Sequence, residues 1–379
     1  MDGVRGRRVV ICTGWRERPL SRQNWALAKQ LVEDGADVVL VVDGKPRNLE
    51  ESWQGVRVVA WPSTRPTHVR DARFFSRLLV DLRPDAVLAN FGSVNVAMLV
   101  GAAHRVPVRA AWYRTLTEQL ALDSPRSGRM RERLLTRRKQ FVYRFATSVI
   151  AVSDAARDDA SRTFSIPEEK FTVVHSCRPD PLELIDTAPP RTDGNLVIAC
   201  VGRLEPSKGQ DVLIRAIGEL RRLEPDWKIT LELIGDGPQR ANYQRVADES
   251  GATDVVNFAG NMTQLDVYRR LAVADVLVVP ARTDAGPGVI AEGLGSGLPL
   301  VVSASGAIPE LLEGSECAVL VPPENHHALA KGLQSVLEDP DRRAAMAQAA
   351  RELFEARFHL SLWVHEVVDW LSNELRALA

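Results

Sequence analysis

The stretch VLVVPARTDAGPGVIAE, residues 276–292, decides how the second half of this chain is read. Val276 to Val279 form a short apolar run that stops at Pro280, and an apolar pattern resumes only at Val289. A run this short and this rich in valine reads as a buried strand, and the glycine-rich segment after it as a loop leading into a helix. Asp284 and Glu292 stand at either end of that loop with seven residues between them. The spacing puts one carboxylate at the mouth of the loop and the other a turn or so into the helix. Such a loop presents backbone N–H groups and a helix N-terminus, and both favour phosphate and sugar oxygens. Two acids beside it accept hydrogen bonds from hydroxyls, which is how a sugar nucleotide would be held. Carboxylates at this spacing also arise by chance, so the weight of the pattern depends on its surroundings.

Those surroundings alternate strand and helix along the whole chain. Apolar runs that read as strands occupy Arg8–Cys12, Asp37–Val42, Val56–Trp61, Ala86–Asn90, Val106–Ala111, Ser148–Val152 and Phe171–Val174 in the first half. Leu196–Val201, Lys228–Ile234, Val255–Phe258, Asp275–Val279, Leu298–Val302 and Ala318–Val321 follow in the second. Segments between them, such as Arg22–Glu33 and His68–Leu82, carry apolar residues at three- and four-residue spacing. Valine-rich strands separated by helices imply parallel sheets covered on both faces. The segment DPLELIDTAPPRTDGN, Asp180–Asn195, has no period and is rich in proline, aspartate and threonine. It is expected to join two doubly wound α/β domains, 1–185 and 190–358, with 359–379 a helix packing back on the first. The expected active site is a cleft across which the two domains face, beyond the carboxyl ends of the strands.

Composition is that of a water-soluble globular chain: 379 residues, 45% hydrophobic and 26% charged. The net charge of −1 hides an asymmetry. Residues 1–190 carry 30 Lys and Arg against 22 Asp and Glu, whereas 191–379 carry 18 against 27. The first half is therefore the side expected to meet an anionic partner, with unselected charge drift as the plain alternative. The four cysteines, Cys12, Cys177, Cys200 and Cys317, form no C-x-x-C pair, hence neither a disulfide framework nor a zinc pattern. The N-terminal apolar run is too short for a signal peptide. No stretch approaches the ~20 apolar residues that span a bilayer. A cytoplasmic protein is expected, with the inner face of a membrane as an alternative location.

The second domain opens with a strand, Leu196–Val201, that runs into GRLEPSKGQD. Gly202 permits a sharp bend, and Arg203 and Lys208 follow it just before a helix at Gln210–Leu220. A guanidinium fork and a compact ammonium on one strand-end loop suit a diphosphate; the plain alternative is two solvated loop cations. Gly235-Asp236-Gly237-Pro238 ends the next strand and reads as structural, or as lining a nucleotide pocket. Phe258, in VNFAG, ends the one after, where backbone groups read a base edge or simply turn the chain.

The order GRLEPSKG, IGDGP, VNFAG, DAGPGVIAEGLGSGLPLV, SGAIPELLEG and LVPPENHHALA resembles the family 4 retaining glycosyltransferases of the GT-B fold. The resemblance covers nearly all of 196–358 and extends upstream to VIAVSDAARDDASRTFSIPEEKFTVV (149–174). It implies that Arg203 and Lys208 neutralise a departing diphosphate. Glu292 would bind the nucleotide ribose, and Asp284 would stand where the family usually has a Glu touching the donor sugar. Backbone amides around Gly286, Gly288 and Val289 would meet sugar and phosphate, with Gly202, Gly235 and Phe258 shaping the nucleotide site. The donor implied is a nucleoside-diphosphate sugar, with UDP ahead of GDP and ADP. No cofactor and no metal are implied: no DxD stands in a suitable loop, and the paired cations do the electrostatic work of Mg²⁺.

The departures from the family pattern concern the sugar end. Asp284 is a methylene shorter than Glu, and Pro287 has no N–H to offer. Where the family often carries a His after the strand at Val106–Ala111, this chain reads AAWYRTL, with Tyr113 in that place and Arg114 beside it. Tyrosine is a poor base near neutral pH. The usual Asn-Gly turn is replaced by His175-Ser176-Cys177-Arg178. The acceptor is expected on the first domain, with Gly14 and Arg16 after the first strand joining Tyr113 and Arg114.

Residues 126–144 carry eight Lys and Arg against Glu132 alone, with Met130, Leu134, Phe141 and Phe145 at helical spacing. They read as a solvated helix face, as a contact with anionic membrane that presents a lipid-linked acceptor, or as an attractor for a small anionic acceptor. Nucleic-acid binding is not expected. The chain is thus read as a retaining, metal-independent glycosyltransferase. A non-catalytic nucleotide-sugar-binding protein, or a GT-B enzyme of other chemistry such as an epimerase, is the alternative.

Overall fold

The computed structural model describes residues 3–15, 19–43, 50–124, 129–186 and 194–377. The chain divides into two units. One comprises Met1–Arg114, Arg126–His175 and Ser361–Ala379, the other Thr115–Pro125 and Ser176–Leu360. The change of unit therefore falls at His175/Ser176 rather than in the proline-rich segment beyond Asp180, and Thr115–Pro125 groups with the second unit.

The first unit holds β1 (Arg8–Gly14), β2 (Asp37–Asp43), β3 (Glu50–Trp53), β4 (Val56–Ala60), β5 (Ala86–Ala89), β6 (Val108–Tyr113), β7 (Ser148–Ala151) and β8 (Phe171–Val173). They form one sheet in the order β3-β4-β2-β1-β5-β6-β7-β8. All pairings are parallel except that of β3 with β4. The sequence reading missed β3, whose EESW has no apolar run to mark it. The C-terminal helix Leu360–Arg376 belongs to this unit from Ser361 onward and buries Trp363, Val364, Val367, Val368, Leu371 and Leu375. Trp363 stacks on Trp112 at 5.5 Å between ring centroids, and Glu374 Oε2 accepts from the Ser148 hydroxyl at 2.8 Å. Each such fully buried side chain contributes about 1.5–3 kcal/mol.

The second unit holds β9 (Leu196–Val201), β10 (Ile229–Ile234), β11 (Val256–Gly260), β12 (Val276–Val279), β13 (Leu300–Ser303) and β14 (Ala318–Val321). The sheet is parallel throughout, in the order β11-β10-β9-β12-β13-β14. Alternate residues of each strand enter different cores. Val276 and Val278 pack with Leu213, Ile217 and Leu333 on one face, and Leu277 and Val279 with Ile290, Leu294 and Phe354 on the other. Burial on both faces is why these strands read as unbroken apolar runs instead of an alternation.

In this order the chain runs outward on one side of β9 and returns on the other side beginning at β12. The crossover helices after β9 and β12 consequently leave from neighbouring strand ends toward opposite faces. A crevice opens at such a switch point, outside the carboxyl ends of the two strands.

Candidate active site

A pocket of about 590 Å³ occupies that crevice. Cys200, Val201, Gly202 and Arg203 reach it from the end of β9, and Val278 to Ala281 with Asp284 from the end of β12. Pro287, Gly288 and Val289 add the start of helix Gly288–Gly295. Gln119, Asp123 and Ser124 come from the Thr115–Pro125 segment.

Close backbone approach holds the loop after β9 in place. Gly209 adopts φ +68°, and a Cβ there would sit 2.0 Å from the Pro280 carbonyl oxygen, so Lys208 is carried tightly against the end of β12. Arg282 clamps the same turn. Its guanidinium donates to both Asp211 carboxylate oxygens at 2.9 and 2.7 Å and to the Pro206 carbonyl at 2.7 Å, while its backbone N–H donates to Ser207 O at 2.8 Å. Hydrogen bonding to Asp211 holds the Arg282 pKa above its ordinary value despite burial. Asp123 completes the clamp, accepting from the Ser207 N–H at 3.0 Å and from its hydroxyl at 2.9 Å.

The sequence-derived site residues divide as follows. Gly202, Arg203, Lys208, Asp284, Gly288 and Val289 all line the pocket. Lys208 donates to Asp284 Oδ2 at 2.5 Å, and the exposed Arg203 guanidinium meets Glu205 Oε1 at 2.7 Å. Burial, followed by the charge of Asp123, raises the Glu205 carboxyl above its usual range, with Arg203 and Lys208 pulling the other way. Gly286 contributes its N–H to Asp284 Oδ1 at 3.1 Å. Gly235 and Phe258 are not among the lining residues. A Cβ on Gly235 would meet Gly202 O at 2.1 Å, which makes its role the packing of the β9 and β10 ends. Phe258 lies against the core with its carbonyl accepting from Arg240 at 3.1 Å.

Glu292 also lies outside the pocket wall. It is buried, and its Oε1 accepts from Arg178 Nε at 3.0 Å, with the two side chains 8% and 5% exposed. Arg178 also donates from Nη1 to Cys177 O at 3.0 Å. Its Nη2 lies 1.7 Å from where a Gly288 Cβ would stand, so Gly288 is bare because a guanidinium fills its side-chain space. Arg178 thus sits over the first residue of the helix that carries Glu292. The sequence reading noted Arg178 only as part of a departure from a family turn. Asp123, Glu205 and Arg282 went unmarked as well. Each of the four cations around this locus is paired with an acid: Arg178 with Glu292, Arg203 with Glu205, Lys208 with Asp284 and Arg282 with Asp211.

The residues expected on the acceptor side lie in the first unit. Gly14 ends β1, and its carbonyl accepts from Trp25 Nε1 at 3.2 Å. Tyr113 ends β6, is 3% exposed, and donates its hydroxyl to Asp159 Oδ2 at 2.6 Å. Arg114 donates to Asn90 Oδ1 at 3.3 Å and lies over the Trp112 ring at 4.2 Å. Arg16 lies outside the described residues. Among the described residues no helix is long and apolar enough to cross a membrane.

Comparison with known proteins agrees with the fold of two parallel-sheet units. Residues 183–353 match the family described as glycosyl transferases group 1, and residues 20–177 the glycosyl transferase 4-like domain. A GDP-mannose-dependent alpha-(1-6)-phosphatidylinositol monomannoside mannosyltransferase of Mycolicibacterium smegmatis is 37% identical over 163 residues, 41% of this chain and 42% of that protein. A GDP-mannose-dependent monoacylated alpha-(1-6)-phosphatidylinositol monomannoside mannosyltransferase of Corynebacterium glutamicum is 33% identical over 193 residues, 49% of each. The chain thus spans less than half the length of these relatives. Both names specify GDP-mannose, which does not favour the UDP expected above. A sucrose-phosphate synthase from Thermosynechococcus elongatus superposes with a TM-score of 0.78 at 19% identity, covering 98% of this chain and 100% of that one, which shows a shared fold. With a GT-B pair of parallel-sheet units and both halves of the sequence matching, the chain belongs to the family 4 glycosyltransferases.

Proposed function

We propose that this protein transfers a sugar from a nucleoside-diphosphate sugar, GDP-mannose in the first instance, to an acceptor hydroxyl with retention of configuration and without an obligatory metal. One observation carries the reading: Arg203 and Lys208 from the end of β9 share a pocket with Asp284 and the start of helix Gly288–Gly295 from beyond β12. Fixed positive charge beside a helix N-terminus favours a diphosphate, most of all as it gains charge on leaving. Asp284, held by Lys208 and the Gly286 N–H, would receive a sugar hydroxyl. The acceptor hydroxyl enters on the same face as the leaving group and loses its proton to the departing phosphate oxygen, so no strong protein base is required. Arg178 holds the Glu292 carboxylate in one rotamer behind the start of helix Gly288–Gly295, outside the pocket wall.

GDP-mannose and an inositol-containing acceptor follow from the names of the two relatives. A lipid-linked acceptor draws support from helix Arg129–Tyr143, where Leu134 and Phe141 are 69% and 52% exposed beside Arg133, Arg137 and Arg138. An exposed apolar edge among cations suits an anionic bilayer surface.

A thermal-shift panel of GDP, UDP and ADP with their sugars tests the donor, since a ligand at a hundredfold excess over Kd stabilises by about 2.7 kcal/mol. GDP-mannose should raise the midpoint most. NMR of the product formed in EDTA reads both the anomeric configuration and the metal requirement. No shift with any nucleotide, or shifts unchanged when Arg203 and Lys208 are both alanine, would remove the pocket from the reaction. Binding with neither transfer nor slow donor hydrolysis would point instead to a non-catalytic binder.

A further inference from the structure

Away from this pocket, helix Gln210–Leu223 and helix His326–Leu337 bring Glu219, His326 and His327 together. One ligating atom from each, a carboxylate oxygen and two imidazole nitrogens, lies within 4.8 Å of the others. His327 Nδ1 is 2.6 Å from Glu219 Oε1 and 2.5 Å from Oε2, and His326 Nε2 is 3.8 Å from Oε2. The two rings lie face to tilted face with centroids 4.1 Å apart. An ordinary ion pair accounts for one imidazole against Glu219 but not for a second one turned to the same carboxylate.

We propose that Glu219, His326 and His327 form a binding site for a divalent first-row transition-metal ion, with zinc as its type. Imidazole and carboxylate together suit zinc, nickel or copper, whereas calcium and magnesium take oxygen ligands. Metal–ligand bonds of about 2.0–2.2 Å require donors closer together than 4.8 Å. The adjustment would fall on His327, whose side chain is 67% exposed, rather than on Glu219 at 15%. Three protein donors leave a coordination position for water. The ion would tie together two helices on one face of the sheet, and none of its ligands lines the pocket. No spacing in the sequence signals the site, because Glu219 and His327 stand 108 residues apart.

The test is calorimetric titration of zinc chloride into the full chain, free of any polyhistidine tag, near neutral pH. Cobalt(II) absorption reports the ligand type. The expected result is one ion per chain, weakened at least tenfold in each of His326→Ala, His327→Ala and Glu219→Gln, with a cobalt spectrum free of thiolate charge transfer. Because His327 is exposed, His327→Ala should melt with the wild type in the absence of metal, which separates lost ligation from lost folding. Absence of binding, equal affinity in the variants, or a thiolate band assigning the ion to cysteine would each overturn the proposal.

Discussion

Replacing Arg178 by methionine probes the contact that most shapes the wall behind the pocket. The substitution keeps most of the side-chain volume and removes the charge. Glu292 would then be a carboxylate 6% exposed with its Arg178 partner gone. Breaking a buried pair by deleting one partner costs about 3–5 kcal/mol, most of it the penalty of stranding the other charge. Removing both charges is far milder, because well-packed apolar replacements of buried pairs are often neutral. Arg178→Met combined with Glu292→Leu should therefore cost less than either single change. A coupling energy of about 2 kcal/mol or more is expected, within the range for residues in direct contact. Gly288→Ala offers an independent route to the same defect, since its Cβ would stand 1.7 Å from Arg178 Nη2 and drive the guanidinium off Glu292. The assay is urea-dependent hydrogen exchange at the β12 and β13 amides, which reports opening of this sheet itself. A loss under about 1 kcal/mol in Arg178→Met, the level of a surface pair, or strict additivity in the double variant, would refute the reasoning.

Arg203→Ala and Lys208→Ala should each lower turnover by roughly 10²-fold, the scale of one lost preorganised charge contact; steady-state kinetics with near-normal turnover in both would count against the diphosphate assignment. Glu205 has a folded-state pKa raised above its unfolded value, so the stability it contributes is full below the unfolded value and lost as pH rises through the folded one. Wild type should consequently lose stability relative to Glu205→Gln as pH climbs from acid, and parallel melting curves for the two proteins would contradict this. Leu134→Glu together with Phe141→Glu should abolish co-sedimentation with vesicles rich in anionic lipid while leaving donor binding intact. If wild type itself stays in the supernatant, the membrane contact is wrong.

Much of this molecule was legible from local pattern. Thirteen of the described strands coincide with apolar runs, because a strand buried on both faces writes itself into consecutive residues. The strand that escaped, Glu50–Trp53, is a polar antiparallel strand at the sheet's edge with one neighbour, β4, and little apolar signal. Arg203 and Lys208 were legible because a glycine bend, two cations and a helix start lie within one short loop. The proline-rich segment after Asp180 resembled a domain junction, but the unit boundary depends on which residues pack together, and Ser176–Asp180 pack with the second unit.

What the tertiary structure alone decided are the pairings between distant stretches. Arg178 reaches Glu292 across 114 residues and Asp123 reaches Ser207 across 84. Side chains like these carry no periodicity and leave no spacing to read. Their meeting follows from the crossover order β11-β10-β9-β12-β13-β14, which lays the ends of β9 and β12 side by side and turns Glu292 away from the pocket toward a buried guanidinium. Sequence by itself determined the strands, the glycine bends and the cations, since each is encoded within a few neighbouring residues. Which acid faces which cation was set by the sheet, because only the folded chain brings those residues within hydrogen-bonding reach.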